Sequence, residues 1–428
     1  LILKLDVEHD ENLVPDYADI LEKYDRFRKA VVAGKIKAAY AAGFGGIIEA
    51  VSKMAFGNKL GVTLDDEVIS KAELARKGYG SIIFEVSPED LTDLDLPAIV
   101  IGKVTEAAEF VYGNTTISMQ QALDAWTGRL EKVFPTSSGV EQVKIETKLY
   151  EEKNIYVCKN KIARPRVFIP VFPGTNCEYD TARAFERAGA ETDVVVLNNM
   201  DAEGIRDSVE RFRKSVSQAQ IVMFPGGFSG GDEPDGSGKF IATTFRNEVI
   251  KEELLKLLNE RDGLVLGICN GFQAIVKLGL VPEGTIVEQT ADSPTLARNS
   301  IGRHQSRMVY TKVVSNKSPW LQKAELGGVY VVPMSHGEGR FVANKEWLDK
   351  LFANGQVATQ YVDIDGNPTM DEDYNINGSY MAIEGITSPD GRVLGKMGHS
   401  ERRDVNTYLN IYGEKDMKIM ESGVAYFQ

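Results

Sequence analysis

A chain of 428 residues exceeds the size at which one hydrophobic core keeps growing, so two or three domains are expected. Apolar residues make up 43% and charged residues 26%, as in folded globular proteins, and no apolar run approaches the roughly 18 residues that a membrane helix needs. The net charge of −13 argues against a nucleic-acid binder, and three cysteines without a CxxC pair point to a reducing cytoplasm rather than a disulfide framework or a metal site.

The chain opens Leu-Ile-Leu-Lys-Leu-Asp, without an initiator Met, a basic region or a small-residue cleavage site. It is expected to begin inside a longer polypeptide and to carry no secretory signal. From Asp16 to Met54 the Ala-rich, three-and-four periodicity predicts helix, interrupted at Gly43-Phe44-Gly45-Gly46. A helix over Asp66 to Lys77, strands over Ser81 to Val86 and Ala98 to Val104, and a helix over Gln121 to Val133 complete an α+β domain spanning 1–150. The polar, basic stretch 151–165 reads as a linker.

A second domain is expected over 166–428. It starts with the apolar run Val167 to Phe172, then Pro173-Gly174-Thr175-Asn176 and a helix from Cys177 to Ala188, with Asn176 as N-cap and Gly189 as the stop. Strands at Thr192 to Leu197, Gln220 to Phe224 and Gly263 to Ile268 alternate with helices at Ala202 to Val216 and Phe240 to Leu258. That alternation predicts an α/β fold with an open, mostly parallel sheet and helices on both faces. Ligands in such folds sit beyond the carboxyl ends of the strands, where Pro225-Gly226-Gly227-Phe228 and Gly267-Ile268-Cys269-Asn270-Gly271 both fall.

Cys269 lies between an apolar strand and a helix from Gly271 to Leu278, with glycines two residues before and after it. This is the strand-turn-helix elbow of a nucleophile, and a helix N-terminus there is expected to favour the thiolate. A buried structural cysteine is the plainer alternative, and the two glycines weigh against it. A thiolate in acyl transfer needs an imidazole and a carboxylate to orient it. Of four histidines, His9 lies in an acidic N-terminal stretch and His304 in a polar loop, while His336-Gly337-Glu338 and His399-Ser400-Glu401 each form a His-x-Glu triplet. The strand Arg392 to Met397 gives His399 the more rigid platform, whereas His336 either lines the pocket or forms a polar turn. Backbone N–H groups of Gly227 and Asn270 are the candidate oxyanion hole, although Pro225-Gly226-Gly227 alone reads as an ordinary tight turn.

These residues resemble the class I, triad-type glutamine amidotransferases through Phe-Pro-Gly-Gly-Phe at 224–228, Gly-Ile-Cys-Asn-Gly-Phe-Gln at 267–273 and His-Ser-Glu at 399–401. Within them the segment is similar to the phosphoribosylformylglycinamidine synthase family, through the stretches 170–178, 226–232 and 335–340. The resemblance implies a Cys269–His399–Glu401 triad working through a glutamyl thioester, and a glutamine pocket formed by Gly226, Phe228, Gln273, Ser335, His336 and Gly337. Ser400 departs from the family, which commonly has Pro between the catalytic His and Glu, so the turn loses a stiffening ring.

Ala38 to Ile47 and Met54 to Asn58 resemble, more weakly, the C-terminal subdomain of aminoimidazole ribonucleotide synthetase-like proteins, which precedes the glutaminase in the large single-chain form of the enzyme. The resemblance implies that ammonia passes to a synthetase site using ATP, Mg²⁺ and formylglycinamide ribonucleotide, and no Walker-type loop appears in this chain. That site is expected to lie mostly outside it, with no cofactor needed for the glutaminase step. Two other readings stay open: a peptidase- or deglycase-like cysteine hydrolase of the same fold, and a non-catalytic docking piece.

Overall fold

The computed structural model describes residues 1–12, 14–231 and 237–428. They form two compact units, Leu1–Pro135 and Thr136–Gln428. In the first, strands β1 (Ile2–Leu5), β2 (Ile36–Ala41), β3 (Gly61–Leu64), β4 (Ile82–Val86), β5 (Ala98–Thr105), β6 (Glu109–Tyr112) and β7 (Thr115–Ser118) make one sheet in the order β2-β4-β1-β5-β3-β6-β7. All its pairs are antiparallel except β3 with β6.

The long helix expected from Asp16 is a correction. Asp16 caps a helix over Tyr17–Val32, which stops before Gly34 at φ +75°, and β2 then occupies the Ala-rich stretch. β2 pairs with β4 from Ile36↔Val86 to Ala41↔Ile82. Alanine's helix preference over ordinary residues is at most about 0.7 kcal/mol per residue. A paired, half-covered strand outweighs it. The helix Gly46–Asn58 resumes after the glycine turn. The helix expected over Asp66 to Lys77 contracts to Lys71–Leu74, fixed by a Ser70–Glu73 capping box, and the next ends at Thr127 before Gly128.

In the second unit, β8 (Arg166–Val171), β9 (Glu191–Val196), β10 (Ile221–Phe224), β11 (Leu264–Ile268), β12 (Thr295–Arg298), β13 (Gln305–Val313), β14 (Val329–His336), β15 (Glu338–Val342), β16 (Val357–Tyr361), β17 (Ile383–Thr387) and β18 (Val393–Lys396) appear in order. Nine of them form one sheet, β14-β13-β16-β17-β18-β11-β10-β8-β9, and β12 pairs with β15 apart from it. The five strands from β18 to β9 are parallel and the other four antiparallel. Every residue of β10, β11 and β18 is buried, and since neighbours along a strand face opposite sides, both faces of the sheet are covered there.

Three local expectations change. Cys177, not Asn176, holds the N-cap position of the helix Glu178–Arg187, without a side-chain cap bond. The helix expected over Phe240 to Leu258 is two, Lys239–Phe245 and Glu248–Asn259, because the Asn247 side chain caps the second by accepting from the Val249 N–H. The units divide at Pro135/Thr136, and the stretch 151–165 is tied into the second. There Tyr156 Oη donates to Asp262 at 2.7 Å, the Lys159 N–H donates to the same carboxylate at 3.0 Å, and the Ile162 N–H reaches the Phe427 carbonyl at 2.8 Å.

Candidate active site

β11 and β18 are parallel neighbours in the register Gly267↔Gly395 and Ile268↔Lys396, so the residues that follow them emerge together. Cys269 follows β11 and begins the helix Asn270–Leu278, with φ +54° and ψ −108°. A non-glycine residue at positive φ is strained, as a nucleophile elbow requires. The flanking glycines are sterically needed: a Cβ on Gly271 would stand 2.0 Å from the Phe224 carbonyl oxygen, and one on Gly267 2.7 Å from that of Gly271. The Cys269 N–H is held by the Lys396 carbonyl at 2.9 Å, and its Sγ lies 3.6 Å from the Ser335 carbonyl oxygen.

Burial outweighs the expected influence of the helix N-terminus. Removal from water pushes the Cys269 thiol well above its ordinary range, and the neighbouring Cys177 sulfur and the Glu401 carboxylate push the same way. The sulfur therefore needs a base to take its proton.

His399 Nδ1 and Glu401 Oε1 are 2.6 Å apart and both side chains are buried. Burial alone would raise the Glu401 pKa, but the His399 charge and hydrogen bond hold it below the usual carboxylate range. An ionised Glu401 accepts from Nδ1–H, which places the lone pair on Nε2. That buried Nε2 has no hydrogen-bond partner among the described residues. A Cβ on Gly226 would lie 2.7 Å from His399 Cε1, so the Pro-Gly-Gly turn packs on the ring.

The rival triplet is built differently. His336 ends β14 and is also buried, but its Nδ1 faces Asn299 Oδ1 at 3.1 Å. Burial lowers its pKa to about 3, helped by His399 and His304, so its ring is neutral. Glu338 does not orient it. That carboxylate accepts from the Ser237 N–H at 2.8 Å and lies 3.7 Å from Arg298.

Asn270 and Gln273 form a bracket behind the elbow. Asn270 accepts from the Ser229 N–H at 3.2 Å and donates to Gln273 Oε1 at 2.9 Å, and Gln273 donates to the Glu338 carbonyl. The Gln273 amide is thus engaged at both ends by the scaffold. The Asn270 backbone lowers the Cys269 pKa against the burial that raises it. Gly227, at φ +145°, bridges to Thr175, and the flanking bonds carry that bridge: Asn176 N–H to Gly226 O at 3.3 Å and Phe228 N–H to Gly174 O at 2.8 Å. The Gly227 N–H stays outside the ladder. Ser335 Oγ meets His304 Nε2 at 3.0 Å, Phe228 and His304 have ring centroids 6.2 Å apart, and Gly337 faces open space. Asp232, the last residue of the 226–232 stretch, lies outside the described residues.

Sequence reasoning assigned nothing to Cys177 and Arg402. Cys177 Sγ accepts from Arg402 Nη2 at 3.0 Å and is 4.0 Å from His399 Nδ1. Burial, then Glu401, pushes its thiol up to about 11 against the pull of Arg402. Cys177, His399 and Glu401 offer ligand atoms within 4.8 Å of one another, the one such group among the described residues. A guanidinium on the sulfur opposes a further cation there, and a set with sulfur and nitrogen does not suit Mg²⁺, which takes oxygen ligands. The available signals were Cys177 inside the motif stretch 170–178 and an arginine beside Glu401.

Residues 164–428 match the model of the CobB/CobQ-like glutamine amidotransferase domain. The phosphoribosylformylglycinamidine synthase subunit PurQ of Methanococcus maripaludis is 37% identical over 241 residues, covering 56% of this chain and 82% of that subunit. A probable chloroplastic/mitochondrial phosphoribosylformylglycinamidine synthase of Arabidopsis thaliana is 29% identical over 425 residues, which is 91% of this chain and 29% of that protein. Among solved structures, a chain of PurLQS from Thermotoga maritima aligns in full with 62% of this one, at 28% identity and a TM-score of 0.45. The chain belongs to the CobB/CobQ-like glutamine amidotransferase family. More narrowly, it carries the glutamine amidotransferase portion of a phosphoribosylformylglycinamidine synthase, a glutamine-hydrolysing ligase of purine biosynthesis. No helix of the described residues is long and apolar enough to cross a membrane.

Proposed function

We propose that Cys269, His399 and Glu401 form the triad that releases ammonia from glutamine. The observation that carries this reading is the buried 2.6 Å His399–Glu401 contact, which leaves Nε2 as the unpartnered ring nitrogen just beyond β18, the parallel neighbour of the strand that leads into the strained Cys269 elbow. As the sulfur attacks the side-chain amide carbon, the thiol proton passes to Nε2 and the developing oxyanion is met by the N–H groups of Gly227 and Asn270. The imidazolium returns its proton to the leaving nitrogen, and ammonia departs. His399 then activates water to hydrolyse the glutamyl thioester, restoring the thiol and releasing glutamate. His336, neutral and buried, lines the glutamine pocket with Ser335, Gly337, Gly226 and Phe228, while Gln273 acts through Asn270.

The ammonia is used by a synthetase step that converts formylglycinamide ribonucleotide to the amidine with ATP and Mg²⁺. We place that site mostly outside this chain, with unit Leu1–Pro135 as its aminoimidazole ribonucleotide synthetase-like C-terminal subdomain. A cytoplasmic setting suits the three unpaired cysteines.

The test is labelling with a glutamine-analogue electrophile, alongside glutamate release with and without the synthetase part. Cys269 should be alkylated while Cys158 and Cys177 are spared, and the labelling rate should still be rising with pH at the ordinary thiol pKa of about 8.5, because burial holds the Cys269 thiol neutral above that value. A flat profile would mean a preformed ion pair, and label on Cys177 would overturn the assignment.

A further inference from the structure

Beneath His399 lies an ion pair in which neither side chain has exposed surface: Lys396 Nζ and Glu384 Oε1, 3.2 Å apart. A buried pair of this kind adds little net stability, and apolar residues of similar volume often serve as well or better. Its contacts suggest another use. Lys396 Nζ donates to the Gly398 carbonyl at 2.8 Å, and the Gly398 N–H donates to Glu384 Oε1 at 2.6 Å. The two charges thus grip both polar groups of the residue immediately before His399. Thr359 Oγ1 holds the other Glu384 oxygen, and the Met397 N–H reaches the Glu384 carbonyl at 3.3 Å.

Gly398 has no side chain to lock this turn, and no ring stiffens it at Ser400. Nor is there room for one at 398: an added Cβ would stand 2.7 Å from Val332 Cγ2, 2.9 Å from Lys396 Nζ and 3.0 Å from Glu384 Oε1. Lys396 has a second hold on the site through its main chain, because its carbonyl accepts the Cys269 N–H at 2.9 Å. One residue therefore ties the nucleophile by its backbone and the histidine turn by its side chain.

We propose that Lys396 and Glu384 are positioning residues that set the His399 ring against Cys269. The proposal rests on the assignment of His399 as the base. It predicts a loss in turnover without a loss in glutamine binding, because neither residue reaches the pocket.

Two double variants test it, assayed as the intact chain under whichever condition, with or without the synthetase part, supports turnover. Lys396→Met/Glu384→Met removes both grips and both charges. Its kcat should fall about ten- to a hundredfold, with the glutamine KM unchanged and the melting temperature no lower. Lys396→Met/Glu384→Gln keeps an acceptor for the Gly398 N–H and should recover part of that loss, giving the kcat order wild type, Gln variant, Met variant. Wild-type kcat in either folded variant would overturn the proposal, so it stays testable if only one folds. So would an equal fall in both accompanied by a raised KM, which is the mark of general damage. His399→Ala in the same assay separates the two claims: if it still turns over, the base assignment fails whatever the pair does.

Discussion

The two His-x-Glu triplets are identical in spacing, and both rings bury an Nε2 without a hydrogen-bond partner, but their Nδ1 atoms are held differently. His399 follows β18, a strand with parallel and antiparallel neighbours inside the sheet, and its partner is Glu401 at 2.6 Å. His336 closes β14 at the edge of the same sheet, and its ring is held by Asn299 while Glu338 turns away to the Ser237 N–H. The carboxylate beside His399 leaves Nε2 a base, whereas the amide beside His336 sets its orientation without supplying the charge that an imidazolium would need. A short motif thus names candidates, and the carboxylate's partner is what favours His399 as the proposed base.

The largest test of that contrast is the pair of alanine variants. His399→Ala should lower kcat about a thousandfold, while His336→Ala should mainly raise the glutamine KM, both read by steady-state glutamate release. Reversed results would exchange the roles of the triplets. Next come the carboxylates. Glu401→Gln removes the charge that fixes the His399 tautomer and should lower kcat about a hundredfold or more. Glu338→Gln keeps an acceptor for the Ser237 N–H and, since that carboxylate does not touch the His336 ring, should leave kcat within about twofold. Comparable losses in the two would show that Glu338 serves the chemistry after all.

The elbow was legible in the sequence because a continuous apolar run, two glycines and a following helix are local signals, and each has a steric reason at Gly267 and Gly271. The parallel half of the sheet was legible for the same reason: β8, β10 and β11 are unbroken apolar runs separated by amphipathic helices. Its antiparallel half was not. β13 and β16 alternate weakly and take their place from partners distant in sequence, such as Gln305↔His336 and Thr311↔Tyr361. In the first unit, Ile36 to Ala41 carried a helical composition that pairing with β4 overrode. The Arg402–Cys177 contact and the Lys396–Glu384 pair could not be read from the sequence, because these contacts exist only when separate strands and loops come together. Glu384 reaches the Gly398 N–H across neighbouring strands, and no spacing in the sequence announces that.

The smallest expected effect probes how firmly the His399 ring is held from above. Gly226 is not among the positive-φ glycines, so alanine there meets no left-handed penalty, but its Cβ would fall 2.7 Å from His399 Cε1 and 3.0 Å from Cys177 Sγ. Both neighbours sit in a buried cluster, Cys177 tied to Arg402 at 3.0 Å and the His399 ring to Glu401 at 2.6 Å, so the added methyl presses on both and any displacement of the imidazole is read in turnover. A displacement of a few tenths of an ångström in a general base should lower kcat by about tenfold. Cys177→Ala in the same background removes one of the two clashes and should return part of that loss, since the methyl can then lean towards the vacated sulfur position. If Gly226→Ala leaves kcat untouched, the ring has slack that the packing denies, and the contrast between a rigid His399 and a merely oriented His336 would lose its steric half.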